Sequence, residues 1–256
     1  MQSFLMKRLD DLALSLSRTE GAIALIGLGS VGLETHRMDD YSDIDFFVIV
    51  KDGRAESFIK NVSWLTDTYP VAYLFKNTDD GFKLLFEDGI YGECAIFDES
   101  RLQDIPFHNA RLHWKRPDSN FEIPMVSTYK PHLKELDFSY NEALTNLYVG
   151  LLRFKRGEKY SAYLFVQHYA LSNVISMLHL TENEQGDKDV FDHSRRIEKR
   201  FPLFSELLPK ILGGYDHTPQ AAKIILDFMS MYYDLNSTMV HKIERLIESI
   251  EKKNGI

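Results

Sequence analysis

The chain has 256 residues, 44% of them apolar and 27% charged, with a formal net charge of −8. That length supports two ordinary domains with real cores, and the acidic balance argues against a protein that wraps a polynucleotide backbone, which needs cations against its phosphates. No apolar run is long enough to cross a bilayer, and a single cysteine, Cys94, leaves no intramolecular disulfide, which is consistent with a reducing cytoplasm.

In chain order, residues 1–18 place Phe4, Leu5, Leu9, Leu12, Ala13 and Leu16 at helical spacing. Lys7, Arg8, Asp10 and Asp11 interrupt what would otherwise be the apolar core of a signal peptide, so the stretch reads as a first helix. Ala22–Ile26 is a short apolar run ended by glycines, and Phe46–Val50 is aromatic and β-branched, so both suit buried strands. Between them lie Gly29-Ser30 and a short helical excursion.

Asp43 and Asp45 stand two residues apart where the second strand begins, so both carboxylates leave one face while Ile44 points to the other. Two adjacent anions raise each other's electrostatic cost, and a hard divalent cation with oxygen ligands, Mg²⁺ carrying phosphates above all, relieves it. Gly29 lets backbone approach closely, and Ser30 adds a hydroxyl and helix-start N–H groups that favour a phosphate. Taken singly, Asp-x-Asp and Gly-Ser are ordinary turn chemistry. Together on one strand–turn–strand unit they point to a metal–nucleotide site.

Downstream, Ala55–Leu65 suits a helix. The segments 70–75, 81–86 and 90–97 read as strands separated by Asn-, Asp- and Gly-rich turns, which predicts a hairpin-rich mixed sheet. In the last of these strands Tyr91, Glu93 and Ala95 share a face, where Glu93 is either a solvated outward residue or a functional acid. Cys94 points the other way and reads as core.

Residues 98–139 hold four prolines and no sustained period, so they read as a connection, with Arg111-Leu-His-Trp-Lys-Arg116 as a basic aromatic patch. Trp114 suits a surface or interdomain contact better than base stacking. From Tyr140 the period becomes helical to the end, predicting a bundle over 140–256 after a sheet domain over 1–139, an α+β chain. Arg153, Lys155, Arg156 and Lys159 close its first helix, where cations complement the helix dipole or reach a triphosphate. Arg195, Arg196, Lys199 and Arg200 form a second, weaker cluster, and the nine histidines show no metal-ligand spacing.

Gly29-Ser30 with Tyr41-Ser42-Asp43-Ile44-Asp45-Phe46 resembles the signature of the nucleotidyltransferase superfamily related to DNA polymerase β, and within it the B-type lincosamide nucleotidyltransferases. The resemblance extends through residues 64–76, Leu85-Phe-Glu-Asp88, Tyr91-Gly-Glu-Cys94 and Phe154-Lys-Arg-Gly-Glu158. It implies a nucleotidyltransferase domain followed by a helical bundle, a homodimer, and transfer of a nucleoside monophosphate, AMP in the first instance, from a nucleoside triphosphate to a hydroxyl of a small molecule. Lincosamide and aminoglycoside antibiotics are the acceptors it suggests, with resistance as the role. Asp43, Asp45 and Glu93 would then be the catalytic and metal-binding acids around two Mg²⁺ ions, Glu93 as ligand or proton acceptor. Gly29, Ser30, Arg153, Lys155 and Arg156 would bind the nucleotide. One departure stands out: relatives carry a cation just after Gly-Ser, whereas Val31-Gly-Leu33 follows here and His36 or Arg37 would have to substitute. Short modules of this superfamily also serve as antitoxin-like or regulatory partners of proteins, a reading that the chain's own helical domain disfavours.

Overall fold

The computed structural model describes residues 2–105, 107, 109–124, 136–186 and 192–254. The chain divides into two compact units, Met1–Tyr129 and Lys130–Ile256.

The first unit is built on one six-stranded mixed sheet in the order β3-β4-β5-β2-β1-β6. Its strands are β1 (Ala22–Gly27), β2 (Ile44–Val50), β3 (Val71–Lys76), β4 (Gly81–Phe86), β5 (Tyr91–Asp98) and β6 (Arg111–Lys115). Among the described strands only β2 and β5 run parallel; their connection is long, as a parallel crossover requires, and it carries two short helices and the β3–β4 hairpin. The central strands are apolar on both sides because both sides are covered. On one face Ile44, Phe46, Val48, Leu84, Phe86, Cys94 and Ile96 pack with helix α1 (Gln2–Arg18) through Leu5, Leu9, Leu12 and Leu16. Those four leucines lie at the i, i+3, i+4 spacing of one helix stripe and are buried to within 3% exposure, each worth about 1.5–3 kcal/mol of transfer free energy. On the other face Ile23, Ile26, Ile49, Leu102, Ile105 and Phe121 form a smaller core.

The helix expected over Ala55–Leu65 is two, α2 (Ala55–Lys60) and α3 (Ser63–Thr66). Asp98, the last residue of β5, accepts the Arg54 and Ala55 backbone N–H groups at 3.1 and 3.0 Å and so caps α2 from the sheet. The buried Trp64 indole N–H donates to the Phe58 carbonyl at 3.0 Å and ties the pair together. The stretch read as a connection contains strand β6, which pairs antiparallel with β1 across a register shift, and Trp114 packs against the larger core from there. A five-residue strand with a bulge and prolines around it carries too little periodicity to be read as one.

The second unit is helical. Its long helix α4 (Leu136–Lys155) contains Ser139 in its first turn, so the boundary expected at that residue falls within the helix. Helix α5 (Lys159–Tyr163) runs through a π-helical segment, Leu164–Ala170, into α6 (Leu171–Met177). The stretch from Ile197 breaks at its prolines into α7 (Ile197–Arg200), α8 (Pro202–Ser205) and α9 (Leu208–Ile211), and α10 (Thr218–Tyr232) and α11 (Ser237–Asn254) complete the unit. A single core of Leu144, Leu147, Leu151, Val166, Val174, Ile225, Met229, Ile243 and their neighbours holds it. Among the described residues no helix is long and apolar enough to cross a membrane.

Candidate active site

The acids predicted from spacing meet at the start of β2. Asp45 lies inside the strand and Asp43 immediately before it, both half-buried, while Ile44 between them is fully buried in the larger core. The loop that delivers them is tied down locally. The Tyr41 N–H donates to the Asp39 carboxylate at 2.9 Å, the Asp39 N–H to the Ser42 hydroxyl at 2.9 Å, and buried Met38 anchors the loop in the core.

Glu93 joins them through register. In the parallel β2–β5 ladder Asp45 is the partner of Glu93 and Ile44 the partner of Gly92, so the two carboxylates stand side by side on one face of neighbouring strands. Gly92 makes that approach possible: a Cβ there would meet the Ile44 carbonyl oxygen at 2.6 Å, closer than any side chain permits. Cys94 points into the opposite core, where burial pushes its thiol up to about 12 and leaves it no role as a nucleophile.

The Gly-Ser turn abuts the same place. The Leu28 N–H donates to the Asp45 carbonyl at 2.8 Å, which puts Gly29 and Ser30 directly after a residue bonded to the aspartate's own backbone. Gly29 has φ +53°, a left-handed conformation that glycine adopts without strain. The expected short helix is two 3₁₀ turns, Gly29–Val31 and Thr35–Arg37, too brief for a helix dipole, so any phosphate held here relies on peptide N–H groups and the Ser30 hydroxyl. Arg37 pairs with Glu34, and its guanidinium comes within 3.8 Å of where a Gly29 side chain would begin. Arg37, one of the two residues expected to stand in for a cation after Gly-Ser, thus lies beside the turn and is paired there with Glu34.

Tyr91, which the alternation of β5 already placed beside Glu93, and Lys83, which the sequence did not single out, both contact that carboxylate. Lys83, the β4 partner of Glu93, places its ammonium 2.9 Å from the Glu93 Oε1, and the Tyr91 hydroxyl donates to the same oxygen at 3.2 Å. The Glu93 carboxylate holds Lys83 above the ordinary lysine value, with smaller pulls from Tyr91 and Asp45. Tyr91 is raised first by desolvation, then by Glu93, with Asp43 adding to it. Asp43, Asp45, Glu93, Lys83 and Tyr91 therefore share one electrostatic environment. The signal for Lys83 was a lysine alternating with Phe82 and Leu84, which is legible only once β4 is paired with β5.

The basic residues predicted to bind the nucleotide belong to the second unit and are engaged within it. Arg153 donates to the Ser161 hydroxyl and lies 4.3 Å from the Phe165 ring centroid; Lys155 donates to the Ser249 hydroxyl at 3.1 Å; Arg156 pairs with Glu158 at 3.4 Å. That unit also has a cavity of about 920 Å³ beside the π-helical segment, lined by His168, His179, His193 and Met177 among others. Among the described residues, no three of His, Cys, Asp or Glu stand close enough to hold a metal ion as they are placed.

No protein-family model matches the chain, and no curated protein matches it. Among solved structures it is similar to an aminoglycoside 6-adenyltransferase from Bacillus subtilis, with 17% identity and a TM-score of 0.36 over 97% of this chain and 96% of that one. It is also similar to the Bradyrhizobium diazoefficiens CD-NTase CdnG in complex with GTP (14% identity, TM-score 0.31, 98% and 86% of the two chains). A third is the STING-associated CdnE c-di-GMP synthase from Capnocytophaga granulosa (13%, 0.29, 98% and 80%).

Proposed function

We propose that the protein is a Mg²⁺-dependent nucleotidyltransferase that moves a nucleoside monophosphate, AMP in the first instance, from a nucleoside triphosphate to a hydroxyl of a small molecule. The observation that carries this reading is the pairing of Asp45 with Glu93 in register, with Asp43 before it and the Gly29-Ser30 turn bonded to the Asp45 backbone. Amine-bearing antibiotics of the lincosamide or aminoglycoside kind are the first acceptors to try.

The donor set suits a hard cation: Asp43 and Asp45 would hold Mg²⁺ through carboxylate oxygens, and a second ion would have to draw on Glu93, which Lys83 already engages. When bound, Mg²⁺ supplies the positive charge that offsets the triphosphate and the departing pyrophosphate. The protein's own groups do the rest. Ser30 and the peptide groups of its turn hold distal phosphate oxygens, and Arg37, paired with Glu34, stands beside them with a guanidinium that an incoming phosphate would have to share with that carboxylate. The acceptor oxygen attacks the α-phosphorus, the bond from that phosphorus to the bridging oxygen breaks, and the electron pair leaves with pyrophosphate. The hydroxyl proton passes to a carboxylate oxygen of Glu93, whose position Lys83 and Tyr91 fix.

The test is pyrophosphate release from each of the four nucleoside triphosphates with Mg²⁺ across a panel of lincosamides and aminoglycosides, with Asp45→Asn as control. Acceptor-dependent release that disappears in the variant is the expected result. Absence of Mg²⁺-dependent nucleotide binding in the unaltered protein would end this reading.

A further inference from the structure

The ladder registers continue past Glu93 to the edge of the sheet. Lys83 is the partner of Phe75, and one step along the strands Tyr91, Leu85 and Tyr73 are partners in turn. Side chains two apart on a strand share a face, so two rows lie across β2, β5, β4 and β3 on the acid face: Asp45, Glu93, Lys83, Phe75 in one and Tyr91, Leu85, Tyr73 in the other, with Asp43 at the head of the second. The residues between them, Phe82, Leu84, Cys94 and Leu74, turn to the larger core. At the far end of these rows Tyr73 and Phe75 are 56% and 50% exposed, and Tyr91 is 36% exposed. A solvated sheet face ordinarily carries polar residues, and here three aromatic rings and a leucine stand beside three carboxylates.

We infer that Tyr73, Phe75, Leu85 and Tyr91 form the acceptor platform: a shelf that takes the apolar ring face of an amine-bearing, hydroxylated small molecule and presents one of its hydroxyls at Glu93. This rests on the transferase reading above and adds to it the chemistry and size of the acceptor. Strands are about 4.8 Å apart, so Phe75 lies about 10 Å from Glu93, which sets the reach from the acceptor's ring to its reacting hydroxyl. Charge agrees. Asp43, Asp45 and Glu93 bring three carboxylates to the reacting end, Lys83 is paired with Glu93, and aromatic faces attract cations as well as apolar rings, so the shelf favours a molecule that is both. Lys83, committed to Glu93, divides the shelf from the reacting end and excludes a second cation from that spot.

Ring signals of protein labelled at Tyr and Phe, followed by NMR during titration with lincomycin and with kanamycin in the presence of Mg²⁺ and a non-hydrolysable ATP analogue, test this directly. Tyr73, Phe75 and Tyr91 should shift with at least one of the two, while Tyr215 in the second unit stays still. The double variant Tyr73→Thr, Phe75→Thr keeps β propensity at exposed positions, so it should fold. It should raise the acceptor KM at least about tenfold, leave kcat within about threefold, and leave nucleotide affinity unchanged. Three results would overturn the inference: no shift with either probe, a shift caused by the nucleotide alone, which makes the shelf a base platform, or concentration-dependent broadening without ligand, which puts a second copy on β3. Failure of the transferase reading is separately visible, in a second sample uniformly labelled with ¹⁵N, as Gly29 and Ser30 amide signals that ignore the Mg²⁺–nucleotide complex.

Discussion

The two faces of the first unit's sheet each carry an ion pair, built in opposite ways. On the covered face Arg8 reaches Asp88 at 2.6 Å with the two side chains 4% and 13% exposed, its guanidinium 4.1 Å from the ring centroids of both Tyr69 and Phe86. On the other face, open at this end beyond the smaller core, Lys83 and Glu93 meet at 2.9 Å with 41% and 42% exposure. A buried pair is a fixed part of the packing, because removing either partner strands a charge in low dielectric. A half-exposed pair is screened and exchangeable, so its value lies in where it holds Glu93 rather than in stability. One face stores the fold and the other keeps its charges within reach of a ligand.

Breaking the open face at its centre should give the largest effect. Asp45→Asn removes the negative charge but keeps the shape, and should lower Mg²⁺-dependent turnover by about 10³-fold or more while the denaturation midpoint barely moves. Steady-state pyrophosphate release and a urea titration on the same preparation check both halves. Breaking the covered face should invert that result. Arg8→Ala removes a buried guanidinium packed on Tyr69 and Phe86 and leaves Asp88, on an exposed turn, without its ion partner; it should destabilise the unit by about 1–3 kcal/mol, read as a lower urea midpoint, with turnover per folded molecule unchanged.

Lys83→Met separates the faces more finely. The pair it removes is solvent-exposed and screened, so the urea midpoint should barely move. Turnover should fall about 10- to 100-fold as Glu93 loses the group that orients it, and Lys83→Arg should restore part of it, which a purely structural role would not require. Since the folded protein raises the Lys83 value, the pair's contribution is complete below the ordinary lysine pKa and is lost as pH climbs through the raised one. Activity between pH 7 and 9 should therefore show no step from this group.

Alternation along a strand made the composition of each face readable in advance: Asp43 with Asp45, Glu93 with Tyr91, and Cys94 opposed to them all follow from period two. What period cannot give is register between strands far apart in sequence. The partnership of Asp45 with Glu93 spans 48 residues and a parallel crossover, and only that pairing reveals Lys83 as the group on Glu93 and Phe75 as the next along the row. Strand β6 escaped for the opposite reason, being five residues long with a register shift opposite Leu25 and Ile26. In the helical unit, Tyr163–Leu180 reads as helix, but a switch to π-helical bonding over Leu164–Ala170 leaves the apolar spacing nearly untouched.

The smallest effect comes from β5 itself, where neighbouring residues belong to opposite faces. Glu93 and Cys94 differ by one position, yet one is bonded to Lys83 and Tyr91 and the other is buried with its thiol held up to about 12. Iodoacetamide attacks only thiolate, so at pH 8 the native protein should show almost no alkylation over hours, and the label should appear at the full rate once urea opens the unit. The same shift has a sign in stability. Above the ordinary thiol pKa the unfolded chain releases a proton that the folded chain keeps, so stability should decline as pH rises from about 9 toward 12. Cys94→Ala should flatten that decline and leave turnover unchanged, whereas rapid alkylation of the native protein would mean that the covered face opens as readily as the other.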